Sequence, residues 1–252
     1  MATKICWADF HIHSALSPCA SDDQTPRRIV GEALAAGISV LALTDHNSCA
    51  NCPAILEYNG PDFLILPGME LQTREEIHMI CLFGDREAAA AWHDFVADRL
   101  PELPNRPDFF GRQLIFDSAG QVCATEPKLL LSSADIGYDD VFRLVAQYDG
   151  LAFPAHIDRP SFSVTASLGF IPAIPRLTLA EVSSAYNLTR PDSIIPGIEK
   201  LKLLRSSDAH WPTAIGRGRT GLPLENLAWD AVKDCLTGPA ALVIAEPANP
   251  AD

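Results

Sequence analysis

Six of the seven histidines in this chain stand near carboxylates in short clusters. Imidazole and carboxylate donors in that combination are what divalent zinc, manganese and iron sites use. The clusters are Asp9-x-His11-x-His13, Asp45-His46, Glu70 with His78, His156-Ile157-Asp158-Arg159, and Asp208-x-His210; His93 stands apart on an alanine-rich stretch and is read as a bystander. One cluster would mean little. Five, spread from residue 9 to residue 210, point to one metal centre assembled from distant parts of the chain. In a strand, residues two apart share a face. That spacing predicts Asp9, His11 and His13 on one face, with Phe10 and Ile12 on the other. Asp45 and His46 are adjacent and would face opposite ways, so one of the two is expected to donate to a metal.

The elements that must position these residues read as alternating strands and helices. Apolar, strand-like runs cover residues 4–10, 39–44, 63–66, 77–83, 151–155, 179–184, 201–206 and 241–245. A helix is predicted from Thr25-Pro26 to Gly37: an N-cap, a proline at the first helical position, an apolar stripe of Ile29, Val30, Ala33 and Leu34, and a closing glycine. Further helical patterns cover about 85–100, 135–149 and 225–237. Alternation of this kind implies a parallel α/β sheet or barrel, and in such barrels the site lies at the C-terminal ends of the strands. Most of the clusters follow an apolar run, Glu70 after a Pro67-Gly68 break, which favours a barrel.

Residues 1–252 are read as one barrel domain. Residues 86–134 interrupt the alternation with prolines at 101, 104, 107 and 127 and a hairpin turning at Asp117-Ser118-Ala119-Gly120. This segment is expected to be an insertion that flanks or caps the site. Residues 246–252 read as a frayed tail.

Composition narrows the function classes. The chain is 48% hydrophobic and 20% charged, with no apolar window long enough for a transmembrane helix. No signal-peptide pattern opens it, and its seven cysteines are odd in number and scattered, which predicts reduced thiols in a cytoplasm. Cys49-x-x-Cys52 has no second pair to complete a zinc ribbon and is read as structural. A net charge of −13 argues against binding duplex nucleic acid through a basic surface, and no membrane partner is expected; a small anionic substrate stays allowed, because the metals would supply the local positive field.

The ordered set Asp9-x-His11-x-His13, Thr44-Asp45-His46-Asn47, Pro67-Gly68-Met69-Glu70, Glu76-x-His78, His156-x-x-Arg159 and Ser207-Asp208-x-His210 resembles the PHP (polymerase and histidinol phosphatase) family of metal-dependent phosphoesterases, over about residues 3–245. The resemblance implies a distorted seven-stranded β/α barrel holding two or three divalent ions, zinc, manganese or iron. It implies that His11, His13 and Asp208 bind one ion, that Glu70 bridges to a second held by His78 and His156, and that His46 and His210 bind a third. Members often place a further Asp or His about five residues past the second motif histidine. Pro18 stands there in this chain, which leaves Cys19, Asp22 or Asp23 as substitutes, or an empty third site. Asp9 and Asp45 are expected to orient histidines by accepting their other ring N–H. Arg159, and less directly Arg190, are candidates for gripping a phosphate, since a guanidinium matches two phosphate oxygens.

The expected activity is hydrolysis of a small phosphate ester. Two ions about 3.5–4 Å apart can share a water and lower its pKa towards neutrality, giving a bridging hydroxide that attacks phosphorus in line. Two alternatives use the same residues: an amidohydrolase-like activity on the same scaffold, or a metal-bound module without catalysis.

Overall fold

The computed structural model describes residues 4–187 and 195–245. Its main sheet has seven strands in the order β11-β10-β1-β2-β3-β4-β7. These are β1 (Lys4–Ile12), β2 (Val40–Leu43), β3 (Leu64–Gln72), β4 (His78–Leu82), β7 (Leu151–Pro154), β10 (Thr220–Leu224) and β11 (Val243–Ile244). A second, parallel pair is made by β8 (Leu179–Val182) and β9 (Lys202–Arg205). The main sheet curls into a half-barrel, and this pair spans its open side. Ile157 N donates to Glu181 O at 2.9 Å on the β7 side. On the β1 side Phe10 N donates to Ser206 Oγ at 3.3 Å, and Ile12 bridges Ala209.

Two buried clusters show which way each strand faces. Inside the barrel, Ala8, Phe10, Val40, Ala42, Leu66, Ile80, Phe153 and Leu204 pack together. Outside it, Leu41, Leu43, Ile65, Met79 and Cys81 pack under the helices α1 (Pro26–Ala35), α2 (Arg86–Ala97) and α3 (Tyr138–Ala146). Thr25 caps α1 as predicted, its side chain accepting from Arg28 N. Trp92 of α2 is fully buried against Phe83 and Tyr148.

Four features depart from the sequence expectations. First, β1 does not alternate cleanly. Its register against β2 slips between Asp9 and Ile12, and Phe10 packs inside the barrel while Ile12 packs outside with the helices. The bulge therefore separates Asp9 from the face of His11 and His13. Second, β3 runs through Pro67 and Gly68 instead of breaking there. A Cβ on Gly68 would stand 2.8 Å from Cys81 O and 3.0 Å from Thr44 Cγ2, so glycine permits the close pairing. Third, β4 is antiparallel to both neighbours. Residues 73–77 are too short for a crossover helix and make a hairpin instead. Fourth, β10 was not anticipated; Gly221 and Pro223 disguise a strand that lies antiparallel to β1.

Within residues 86–134, β5 (Leu114–Phe116) and β6 (Val122–Thr125) form an antiparallel hairpin. It docks on loops that follow β1 and β2. Leu114 N donates to Ala15 O at 2.8 Å, and Phe116 N to Asn51 Oδ1 at 2.9 Å. Among the described residues no helix is long and apolar enough to cross a membrane. The expected frayed tail, residues 246–252, lies outside the described residues.

Candidate metal centre

All the clustered histidines meet at one rim of the barrel. His11 is the penultimate residue of β1, and His13 lies just beyond its end. His46 follows β2, Glu70 lies in the far half of β3, His156 follows β7, and Asp208 and His210 follow β9. His78 is the first residue of β4, and the antiparallel direction of that strand brings its start to the same rim.

Glu70, 1% exposed, is the hub. Its Oε1 lies 2.8 Å from His78 Nδ1, 3.1 Å from His11 Nε2 and 3.2 Å from His156 Nε2. Its Oε2 lies 2.9 Å from His46 Nδ1 and 3.3 Å from His13 Nε2. Asp208 Oδ1 lies 3.1 Å from His13 Nε2 and 3.2 Å from His11 Nε2. Seven of these residues fall into three groups, each with its atoms within 4.8 Å of one another: His11, His13, Glu70 and Asp208; His46, Glu70 and His78; and His13, His46 and His210; His156 belongs to none of them and reaches the hub through Glu70 Oε1.

Hydrogen bonds on the outer side of each ring set which nitrogen faces inward. His11 Nδ1 donates to Glu181 Oε1 at 2.9 Å. Ser17 Oγ gives its proton to Asp45 Oδ1 at 2.7 Å, so it accepts from His13 Nδ1 at 2.9 Å. His78 Nε2 donates to Gln72 Oε1 at 3.3 Å, and His210 Nδ1 donates to the Asp208 carbonyl at 3.0 Å. In each neutral ring the remaining nitrogen is a bare acceptor. Three of these inward nitrogens, His11 Nε2, His13 Nε2 and His78 Nδ1, stand within 3.3 Å of carboxylate oxygens. His11 Nε2 and His13 Nε2 are only 3.1 Å apart. Buried Glu70 Oε2 and His46 Nδ1 lie 2.9 Å apart, and neither has a hydrogen-bond partner elsewhere. Acceptors converging in this way fit divalent cations, and the donor set is one that zinc, manganese and iron accept.

The protonation equilibria show the same strain. Burial would raise the pKa of Glu70, but His78, His11 and His46 hold it well below the usual carboxylate range. Asp208 is likewise held low against its burial, chiefly by His11 and His13. Burial favours neutral His11 and His46, yet the nearby carboxylates, Glu70 foremost, push both well above the usual histidine value. His13 goes the other way, depressed by burial and by the charges of His210 and His46. Two residues of the centre have strained backbones: His156 has φ 28° and Asp208 φ 50°.

Asp9 and Asp45 touch no histidine ring, contrary to expectation. Beyond the β1 bulge, Asp9 accepts from Ser207 N and Gly216 N, both at 3.0 Å, and so pins the segment that carries Asp208. Asp45 accepts from Ser14 N, Ser14 Oγ and Ser17 Oγ and reaches His13 only through Ser17. Arg159 pairs with Asp208 Oδ2 at 2.6 Å, its side chain 44% exposed. Its neighbour Asp158 instead accepts from Ser183 N and Oγ. Arg190 lies outside the described residues. Asp22 pairs with Arg112, and Asp23 and Cys19 are exposed at the surface. His93 accepts from Cys49 N, away from the centre, and Cys49 and Cys52 are buried with both thiols against Gly68 O.

Sequence reasoning missed Glu181, Ser17 and Gln72. Glu181 also accepts from His156 N at 3.2 Å, so one carboxylate fixes two clusters. Its signal was a lone acid inside the apolar run Leu179-Ala180-Glu181-Val182.

A PHP domain model matches residues 9–185. No curated protein sequence matches the chain. Among solved structures, the lesion-specific endonuclease from Pyrococcus furiosus superposes with a TM-score of 0.70 at 15% identity, over 96% of this chain and 58% of that one. Endonuclease Q bound to a 27-mer duplex with an abasic lesion at its active site gives a TM-score of 0.68 at 16% identity, over 96% and 58%. This chain thus spans less than two thirds of those nucleases. A protein from Bifidobacterium adolescentis described as a metal-dependent phosphoesterase gives 0.56 at 19% identity, over 91% and 95%. These neighbours overturn one expectation. A chain of this fold acts on duplex DNA, so a net charge of −13 does not restrict the substrate to small phosphorylated molecules. Net charge describes the whole surface, whereas cations at a rim set the local field that a phosphate meets. The matched family model, with the rim geometry beneath it, places the chain in the PHP domain family, and it is a metal-dependent hydrolase.

Proposed function

We propose that the chain hydrolyses phosphate esters, with nucleic-acid phosphodiesters within its substrate range. The observation that carries this reading is the convergence of inward-facing imidazole nitrogens on Glu70 and Asp208. His11, His13, Glu70 and Asp208 would hold one divalent ion, and Glu70, His46, His78 and His156 a second. When bound, such ions lower the pKa of water and neutralise charge building on phosphoryl oxygens. The protein's own part is orientation. Glu181, Ser17 and Gln72 lock the tautomers, and Asp9 holds the Asp208 segment in place. Arg159, half exposed at the edge, would exchange Asp208 Oδ2 for a phosphate oxygen. Residues 86–134, bonded to the loops behind His13 and His46, would form one wall of the cleft. The duplex-bound neighbour supports nucleic acid as a substrate class.

The test is a panel: bis(p-nitrophenyl) phosphate, p-nitrophenyl phosphate, an abasic duplex oligonucleotide and a p-nitroanilide, each with the metal-loaded protein. Release from a phosphoester is expected. Cleavage of the anilide with every phosphoester untouched would favour amide hydrolysis on the same centre.

A further inference from the structure

The loop that follows β7 carries two side chains of different chemistry to the rim. Arg159 reaches Asp208 Oδ2 at 2.6 Å. Phe162, three residues on, lays its ring over His78, with ring centroids 4.8 Å apart and planes 18° apart. Phe162 is nevertheless 44% exposed, so its ring covers a candidate metal ligand on one side and stays open to solvent on the other. Its backbone has φ 54°, a conformation that bulky residues rarely adopt. Burial does not offset that strain, because so much of the side chain remains in water.

The loop is braced to hold the ring there. Phe162 O accepts from His78 N at 2.9 Å, which ties the residue to the first position of β4. Ser163 is fully buried; its Oγ donates to Arg159 O at 2.6 Å and accepts from Ala166 N at 3.1 Å, closing the turn on the short helix Val164–Leu168. Thr165 Oγ1 donates to Ile157 O, and Arg159 N donates to His156 O at 2.9 Å. One turn therefore sets a guanidinium on the group of His11, His13, Glu70 and Asp208, and an aromatic ring on the group of His46, Glu70 and His78. Glu70 is common to both, so the two side chains flank one place.

We propose that Phe162 is a specificity-determining residue: its open face stacks on a planar base attached to the phosphate that the rim binds, so the site takes nucleotides in preference to sugar or alkyl phosphates. Every nucleobase has a π-face, so such a platform selects for a base without selecting which one. Arg159 supplies the fork for the phosphate, and the ring beside it reads what the phosphate carries. A mere cover over His78 would need an apolar side chain but no aromatic face. The proposal rests on the phosphate-binding half of the function proposed above.

The test measures binding of two phosphonates to the metal-loaded full chain. They are the 5′-phosphonate of 2-aminopurine riboside, whose fluorescence is quenched on stacking, and ribose 5-phosphonate, which lacks the base; neither is an ester that can be hydrolysed. Wild type is expected to quench the first and to bind it about 5–150-fold more tightly than the second, the range for one base on one aromatic ring. Phe162→Leu keeps an apolar cover over His78 and should lose the quenching and bring that ratio near unity, with metal content unchanged. Phe162→Tyr should restore both. Trp211, also exposed, stands beside His210 with ring centroids 6.1 Å apart, and Trp211→Leu should keep the wild-type ratio. Wild type without quenching or with a ratio near unity, a preference that survives in Phe162→Leu, or one lost in Trp211→Leu instead, overturns the assignment. None of these readings needs turnover. A loaded protein that prefers the base and cleaves no phosphoester keeps the platform and removes the phosphoesterase; one that cleaves bis(p-nitrophenyl) phosphate with a ratio near unity does the reverse.

Discussion

At the residue scale the centre depends on which ring nitrogen each histidine turns inward. Glu181 sets that choice for His11 and also accepts from His156 N. Glu181→Gln should lower metal affinity or turnover about 10–100-fold, the usual effect of removing the partner of a ligating histidine, with little change in fold. Isothermal titration with metal checks it, and unchanged affinity with unchanged turnover would remove Glu181 from the centre. The raised pKa values of His11 and His46 predict a second effect. Without a cation, the nearby carboxylates hold a proton on each ring at neutral pH, and a cation must displace it. Metal uptake at pH 7 should therefore release protons, and affinity should fall as pH falls. Titrations in buffers of different ionisation enthalpy measure the release; none would contradict the scheme. The eight clustered donors were legible because their types advertise metal chemistry. Glu181 and Ser17 were not, because their role depends on packing: Glu181 meets His11 across 170 residues of sequence.

At the element scale the same rim is reached by unlike routes. β2, β7 and β9 deliver their donors just past their C-terminal ends, while β4 delivers His78 at its start because a hairpin reverses it. The apolar runs revealed the strands, but nothing in their composition encoded direction; the short 73–77 connection did. The β1 bulge was equally hidden, since a spacing of two between Asp9 and His11 looks like plain alternation. Asp9 turns instead to Ser207 and Gly216. Residues 86–134 touch the centre's loops at Gly111, which has φ 106° and lies against Pro18. Gly111→Ala should cost about 1–3 kcal/mol from backbone strain and displacement of the loop, lowering Tm by about 2–10 °C for a chain of this size. A thermal melt at wild-type Tm would show that this contact is not tight.

At the scale of the whole molecule, a half-barrel closed by β8 and β9 gathers donors from nearly the full length of the chain. The fold class was legible because alternating apolar runs and helical stripes leave few architectures. The substrate was not, because net charge averages over a surface while a phosphate meets only the rim. The central claim is that phosphoester hydrolysis here requires cations held between Glu70 and Asp208. The most direct measurement follows bis(p-nitrophenyl) phosphate hydrolysis by wild type and Asp208→Ala through chelation and reloading, with metal content determined at each step. Wild type should lose activity with its metal and regain it on reloading, while Asp208→Ala should bind less metal and recover little activity despite a native circular dichroism spectrum. Hydrolysis that persists after the metal is removed, or full recovery in Asp208→Ala, would contradict the account.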